Sequence, residues 1–240
     1  MSDEIAPLAR LLWSGQQPSG RGPRPALSRD RIVAEAITMA DADGIGALSM
    51  QRLAKQLGAA TMSLYRHVPS KDDLVALMLD AVMGTPPALP GDWEGAIDRW
   101  ARAMRDLYTR HPWVLAVGTG NRYLGPNEAA WGEAATRALL DGGLPVHLVT
   151  DTLLSVSAFT SGVTRLEVDP ARGCDSPTHV GPVLDPVVFA EFDGPQRFPA
   201  LTVVAMAGAT EPRGTSATAA AVFEFGLAAL VAEVATRLSR

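Results

Sequence analysis

The stretch Leu48–Leu74, LSMQRLAKQLGAATMSLYRHVPSKDDL, decides how the rest of the chain is read. Ser49 is a good N-cap residue, and Leu53, Ala54 and Leu57 follow it at helical spacing, so a first short helix opens there. Gly58 permits the left-handed backbone that stops it. A second helix follows at once, roughly 60–68, with Leu64 and Val68 four residues apart on its inward side and Pro69 closing the unit. Thr61, Met62, Ser63 and Tyr65 are left on or near its outer face. Two short helices about a glycine turn, the second with a polar and aromatic outer face, have the geometry that seats a helix in a DNA major groove. An ordinary helical hairpin shares this spacing, so the flanks must decide between them.

Upstream, Ser28 caps a helix in which Ile32, Val33, Ala36, Ile37 and Ala40 form one apolar stripe, ending at Asp43-Gly44. Downstream, Ser70 opens another helix with Asp72 and Asp73 in its first turn, where the helix dipole favours negative charge. Leu74, Leu77, Met78, Ala81 and Val82 supply its inward stripe. A long helix, two short ones and a longer one make a compact head over residues 28–83.

Residues 27–83 resemble the DNA-binding head of the TetR family of transcriptional regulators, in the branch of the tetracycline repressor. The resemblance rests on Ile32, Ala36, the Asp43-Gly44-Ile45 turn, Leu48-Ser49-Met50, Leu53-Ala54, Leu57-Gly58, Ser63 to Val68 and Ser70 to Leu74. It implies an all-α fold, with an N-terminal helix-turn-helix head and a helical body for ligand binding and dimerisation. It further implies a cytoplasmic repressor that holds a palindromic operator in double-stranded DNA as a homodimer and lets go when a small molecule binds.

Composition agrees. With 240 residues, 47% of them hydrophobic, the chain suits a small head plus a larger body with a real core. Its single cysteine, Cys174, fits a reducing compartment. Met1 to Ala6 has Asp3, Glu4 and no basic n-region, so no secretory signal is expected, and no uncharged run of about 18 apolar residues suggests a membrane span. The net charge of -5 divides unevenly: residues 1–71 carry +3 and residues 72–240 carry -8. A positive head facing phosphates and an acidic body kept clear of them fit a nucleic-acid binder.

Residues 1–27 read as a flexible basic arm, since glycine, proline and serine dominate Ser14 to Pro25. Arg21 and Arg24 sit where such an arm can reach phosphate or a minor groove. The breaker segment Gly84 to Gly91 marks the boundary into the body, residues 84–240. There a helix capped by Asp92 is expected to reach about Arg110, with Trp93, Ile97, Trp100, Met104 and Leu107 along one side. A short segment runs from His111 to Val117, and a further helix from Asn127 to Asp141. An apolar stretch spans Leu144 to Val168, Asp169–Asp185 reads as a loop, less regular helices occupy 186–208, and a last helix spans Thr215 to Ser239. Two helices apolar nearly all round need burial on both sides, which pairing with a second copy supplies. In the last helix Ala217, Ala220, Ala221, Phe225, Leu227, Ala228 and Val231 are the candidates for that interface.

The resemblance also implies roles for single residues. Tyr65, His67 and Lys71 match positions that touch the phosphate backbone. Ser49 and Met50 open the first short helix where the tetracycline repressor has two threonines. Gln51, Thr61 and Met62 replace that repressor's base-reading arginine, glutamine and proline, so a different operator is expected. Ser63 completes the outer face. For the effector, Trp100, Met104, Trp113, Trp131, Phe159 and Thr160 are the candidate lining, and the ligand is expected to be largely apolar. Ser157 to Gly162 resembles a run in the repressor's drug site. Glu167 falls one residue from a carboxylate that serves the drug's metal there, and the metal-binding histidine has no counterpart. No metal or cofactor is expected.

Other functions have weaker signals. His67, His111, His147 and His179 are scattered, and no nucleophile elbow, phosphate loop or C-x-x-C is present, so an enzyme is disfavoured. A helical protein–protein adaptor without DNA binding shares the architecture; retention of a promoter fragment separates the two.

Overall fold

The computed structural model describes residues 7–14, 27–118, 122–168, 191, 194–203 and 215–239. Its principal elements are helices: α1 (Pro7–Trp13), α2 (Arg29–Asp43), α3 (Met50–Leu57), α4 (Thr61–Tyr65), α5 (Lys71–Met83), α6 (Trp93–Arg110), α7 (Trp113–Val117), α8 (Pro126–Asp141), α9 (Val146–Thr164) and α10 (Thr215–Leu238). A 3-10 turn at Ile45–Ala47 separates α2 from α3, and Gly194–Arg197 forms a short helical turn.

The head is built from its caps inward. Ser28, Ser49 and Ser70 each take extended backbone and accept from the main-chain N–H three residues on, at 3.3, 3.2 and 3.0 Å. Each such cap is worth about 1 kcal/mol. Ser70 also donates to Asp73 at 2.7 Å, closing the start of α5 reciprocally. Gly58 sits at φ 66° and ψ 31°, a left-handed conformation that a Cβ disfavours, and ends α3 there. Ile32, Leu53, Leu64, Val68 and Leu74 have no accessible surface; they lock α2 to α5 around one core.

Three expectations for the head change. The second short helix is tighter than 60–68: Ala60 is its N-cap, Thr61–Tyr65 its helical span, and Arg66-His67 a turn. On α5 Ala81 is exposed, whereas Leu79 and Asp80 are buried. The core is continuous from head to body, and α5 faces it through Leu74, Met78 and Leu79 as it passes from one to the other, so one stripe does not describe it. The supposed arm begins as a helix: α1 packs on α5, Leu12 is buried, and the Trp13 indole donates to the Leu124 carbonyl at 2.9 Å. Arg29 fastens its end through Leu11 and Ser14 carbonyls.

In the body α6, α8 and α9 pack together, and α10 lies along α9 and α6. Asp92 caps α6 by accepting from Gly95 N–H at 2.8 Å, and Trp93, Ile97, Trp100, Met104 and Leu107 all face inward as the spacing predicts. Residues 219–238 of α10 are long and apolar enough to cross a membrane by length and composition. Here Phe223, Leu227 and Val234 bury one side of it against the body. Leu227 therefore belongs to this chain's own core and not to an outward interface, while Ala221, Phe225 and Ala228 are exposed. The Asp169–Asp185 stretch and the Ala217 side chain lie outside the described residues, as does part of 186–208.

Candidate functional site

The outer face of the head is assembled from the N-terminus of α3, the length of α4 and the first residue of α5. Ser49, Gln51, Met62, Tyr65 and Lys71 are exposed there, Met62 with 71% of its surface free. Thr61, Ser63 and His67 are half-buried. Met50 is the correction: it is 6% exposed and packs into the head core. The first residue after the cap, it turns inward with Leu53 and Leu57, so its side chain is not on the outer face. Arg21 and Arg24 lie outside the described residues.

The sequence reading passed over Arg66, which the structure sets beside Tyr65. It is exposed at the C-cap of α4, and its guanidinium has no hydrogen-bond or ion-pair partner among the described residues. Arg52 differs, being paired with Asp43 at 2.5 Å. A lone cation one residue past a helix that offers Tyr65 was the available signal, and Arg66 stands in the quoted motif without having been assigned a role.

The second feature is a cavity of about 670 Å³ in the body, a volume that suits a drug-sized molecule. Leu79 and Met83 of α5 form one wall, Trp100 and Met104 of α6 another, and Trp131 of α8 a third. Its polar end holds Tyr108, Arg122, Glu128 and Arg165. Of the six expected lining residues, Trp100, Met104 and Trp131 meet at this cavity; Trp113, Phe159 and Thr160 do not. Trp113 is fully buried, and its indole donates to Asp41 at 2.8 Å, so its aromatic surface is spent on the joint with α2. Phe159 stacks on Phe223 at 6.0 Å between ring centres, gluing α9 to α10. Thr160 has no exposed surface and sits inside the packed core. Glu167 is held by Arg105 away from the cavity.

Two joints connect head and body next to this cavity. Asp41, near the end of α2, accepts from Trp113 and is also 2.8 Å from Nδ1 of His111. On α5, buried Asp80 accepts from the main-chain N–H groups of Asn127 and Glu128 at 2.9 and 3.1 Å, capping the start of α8 from another helix. A Cβ at Gly125 would lie 2.2 Å from the Asp80 carboxylate, so only glycine allows the approach. Asn127 returns a hydrogen bond to the Asp80 carbonyl at 3.0 Å, and the Trp131 indole donates to Met83 at 2.9 Å. Desolvation holds the Asp80 carboxyl above the usual carboxylate range, although the two N–H groups pull it back. Glu128, the next residue on α8, forks onto Arg122 at 2.5 Å. One end of the cavity is thus wired to the helix that carries the head.

The comparisons with known proteins match both halves. Residues 32–78 match the family described as bacterial regulatory proteins, tetR family, and residues 85–238 match the tetracyclin repressor-like C-terminal domain. The HTH-type transcriptional repressor DrrR1 of Streptomyces coeruleorubidus is 40% identical over 172 residues, 70% of this chain and 63% of that protein. An HTH-type transcriptional regulator of Saccharopolyspora erythraea is 37% identical over 147 residues, 60% of this chain and 62% of that one. The chain therefore spans less than two thirds of the length of these relatives. The Streptomyces coelicolor TetR family protein ActR, solved in complex with actinorhodin, superposes with a TM-score of 0.70 at 25% identity, covering 91% of this chain and 100% of that one.

Proposed function

Because the chain belongs to the tetR family of bacterial regulatory proteins, we propose that it is a ligand-responsive transcriptional repressor, a homodimer on a palindromic operator that a small molecule releases. The observation that carries this reading is the cavity wall formed by Leu79 and Met83, because the same α5 anchors the head through Leu74 and Met78. A ligand that fits only one setting of α5 shifts the balance between two head positions by its difference in affinity for them. The DrrR1 relative is named a repressor and ActR was solved with actinorhodin bound, which supports both halves of the proposal.

Dimerisation has its support in α9 and α10. Leu154 and Phe225 expose 67% and 80% of their surface on neighbouring helices, an apolar face that a two-fold copy covers. Two heads so paired reach half-sites about 34–36 Å apart, or a multiple of that. In this reading Tyr65, Arg66, His67 and Lys71 hold phosphates, and Gln51, Thr61 and Met62, with Ser49 and Ser63 at the edges, choose the sequence. DNA work of this kind places the protein in the cytoplasm, with no part for a membrane.

Genomic binding-site selection with the purified full chain tests the proposal. A palindromic site is expected, occupied by two chains. Lys71→Ala should weaken binding to every sequence and flatten the salt slope by about one unit, whereas Gln51→Arg should change the preferred bases. Failure to enrich any site, or one common behaviour for both variants, overturns the assignment.

A further inference from the structure

Among the described residues lining the cavity, the charged ones are Arg122, Glu128 and Arg165. Arg122 and Glu128 cancel each other through a two-pronged pair. The Arg165 guanidinium has no carboxylate partner among the described residues; its one described hydrogen bond goes to the Leu115 carbonyl. Glu167, two residues on from Arg165, is taken by Arg105. Tyr108 stands at the same end, close enough for Arg165, Arg122 and Glu128 all to influence its hydroxyl, and burial holds that hydroxyl in its protonated form. The one described partner of the hydroxyl is the Met104 sulfur, a weak acceptor at 4.0 Å. Apart from Ser157 and Ser161, the remaining described walls, chiefly Trp100, Met104, Trp131 and Met83, are apolar. A largely apolar chamber whose described polar end carries one surplus positive charge and an underused O–H donor is complementary to an acid.

We propose that the cavity selects a largely apolar, ring-bearing molecule with one anionic oxygen group, a carboxylate or ionised phenol, seated against Arg165 and Tyr108. The inference rests on the reading of this cavity as the effector site, and it adds the charge of the effector. A hydrogen bond from a charged donor in a partly enclosed site is worth enough to change affinity about ten-fold or more. A neutral molecule of the same shape leaves Arg165 no better satisfied than water does. A cationic one meets the surplus charge directly.

Three probes sharing one ring system test it: 9-anthracenecarboxylate, 9-anthracenemethanol and 9-(methylaminomethyl)anthracene. Each is titrated into the full chain by calorimetry and by quenching of the tryptophans that line the cavity. The carboxylate should bind about ten-fold tighter than the alcohol, with the amine weakest. Arg165→Gln should erase the carboxylate's advantage and leave the alcohol's affinity unchanged, and Arg165→Lys should restore part of it. Equal affinities, a preference for the amine, an advantage that survives Arg165→Gln, or no binding by any probe overturns the proposal. Operator titration with the same probes separates this inference from the one beneath it. If the carboxylate binds through Arg165 without loosening the operator, the charge preference stands and the release mechanism fails. If carboxylate and alcohol bind equally and both release the operator, the reverse holds.

Discussion

Head and body are both helical, yet they satisfy their groups differently. In the head three serine caps each meet a main-chain N–H, and the core residues Leu53, Leu64 and Leu74 keep no accessible surface. In the body lie the buried side-chain atoms that lack a partner among the described residues: Arg99 Nε, Trp100 Nε1 and Thr160 Oγ1. The body also holds a large apolar cavity and turns Phe225 and Leu154 to solvent. A small unit whose caps and core groups are satisfied suits the proposed reading of a fixed groove. A larger unit with unused donors and uncovered apolar surface has interactions left over for other molecules. Under the proposed function, the contrast is between a DNA-reading head and a body that a ligand and a second copy complete.

The largest way to break that contrast is Leu64→Ala. Truncating a fully buried leucine in so small a core should cost about 2–5 kcal/mol. All five tryptophans lie outside residues 28–83, so their fluorescence reports the body and α1, whereas far-ultraviolet dichroism reports every helix. The variant should lose helical signal in denaturant before its tryptophan signal moves. Coincident loss of both would mean that the joints at Asp41 and Asp80 make head and body one cooperative unit.

Next in size is Phe225→Asp. The residue is 80% exposed, so the fold of a single chain should hardly register the change. A charge placed within the proposed two-fold contact should cost about 2 kcal/mol or more of dimerisation, roughly a 30-fold loss, visible by sedimentation equilibrium. Unchanged association would move the interface elsewhere.

The same contrast explains what could be read from the sequence. The head was legible because caps and glycine turns are local devices: Ser28, Ser49, Gly58 and Ser70 each act on residues three or four positions away. Asp92 and the inward side of α6 were legible for the same reason. Periodicity tells which side of a helix faces inward, but not what it meets there. Trp100 and Trp113 both point inward, yet one lines the cavity and the other pins α7 to α2 through Asp41. Phe159 was drawn from the cavity to Phe223, a residue 64 positions along the chain. Helix α1 escaped notice because the glycines and prolines after Ser14 outweighed Leu8, Leu11 and Leu12 in the reading of the arm. Asp80 escaped because a buried carboxylate on an apolar helix gives no local signal of the N–H groups it caps on another helix.

Asp80 therefore provides the finest test, at the joint itself. Its Oδ1 accepts both N–H groups at the start of α8, and burial raises its pKa above the ordinary value. A carboxyl that holds its proton more tightly when folded than when unfolded contributes stability at acid pH, and that contribution is lost as pH rises through the folded value. Near neutrality the ionised group thus carries a desolvation cost that its hydrogen bonds do not wholly offset. Asp80→Asn keeps an oxygen for the two N–H groups and removes the charge. It should equal the parent or exceed it by up to about 1 kcal/mol near neutral pH, and the difference should close as pH falls below the usual carboxylate range. Asp80→Ala, which leaves both N–H groups without the acceptor, should instead cost about 1–3 kcal/mol. An Asn variant as damaged as the Ala variant at neutral pH would show that the charge at the start of α8, and not the acceptor, holds head and body together.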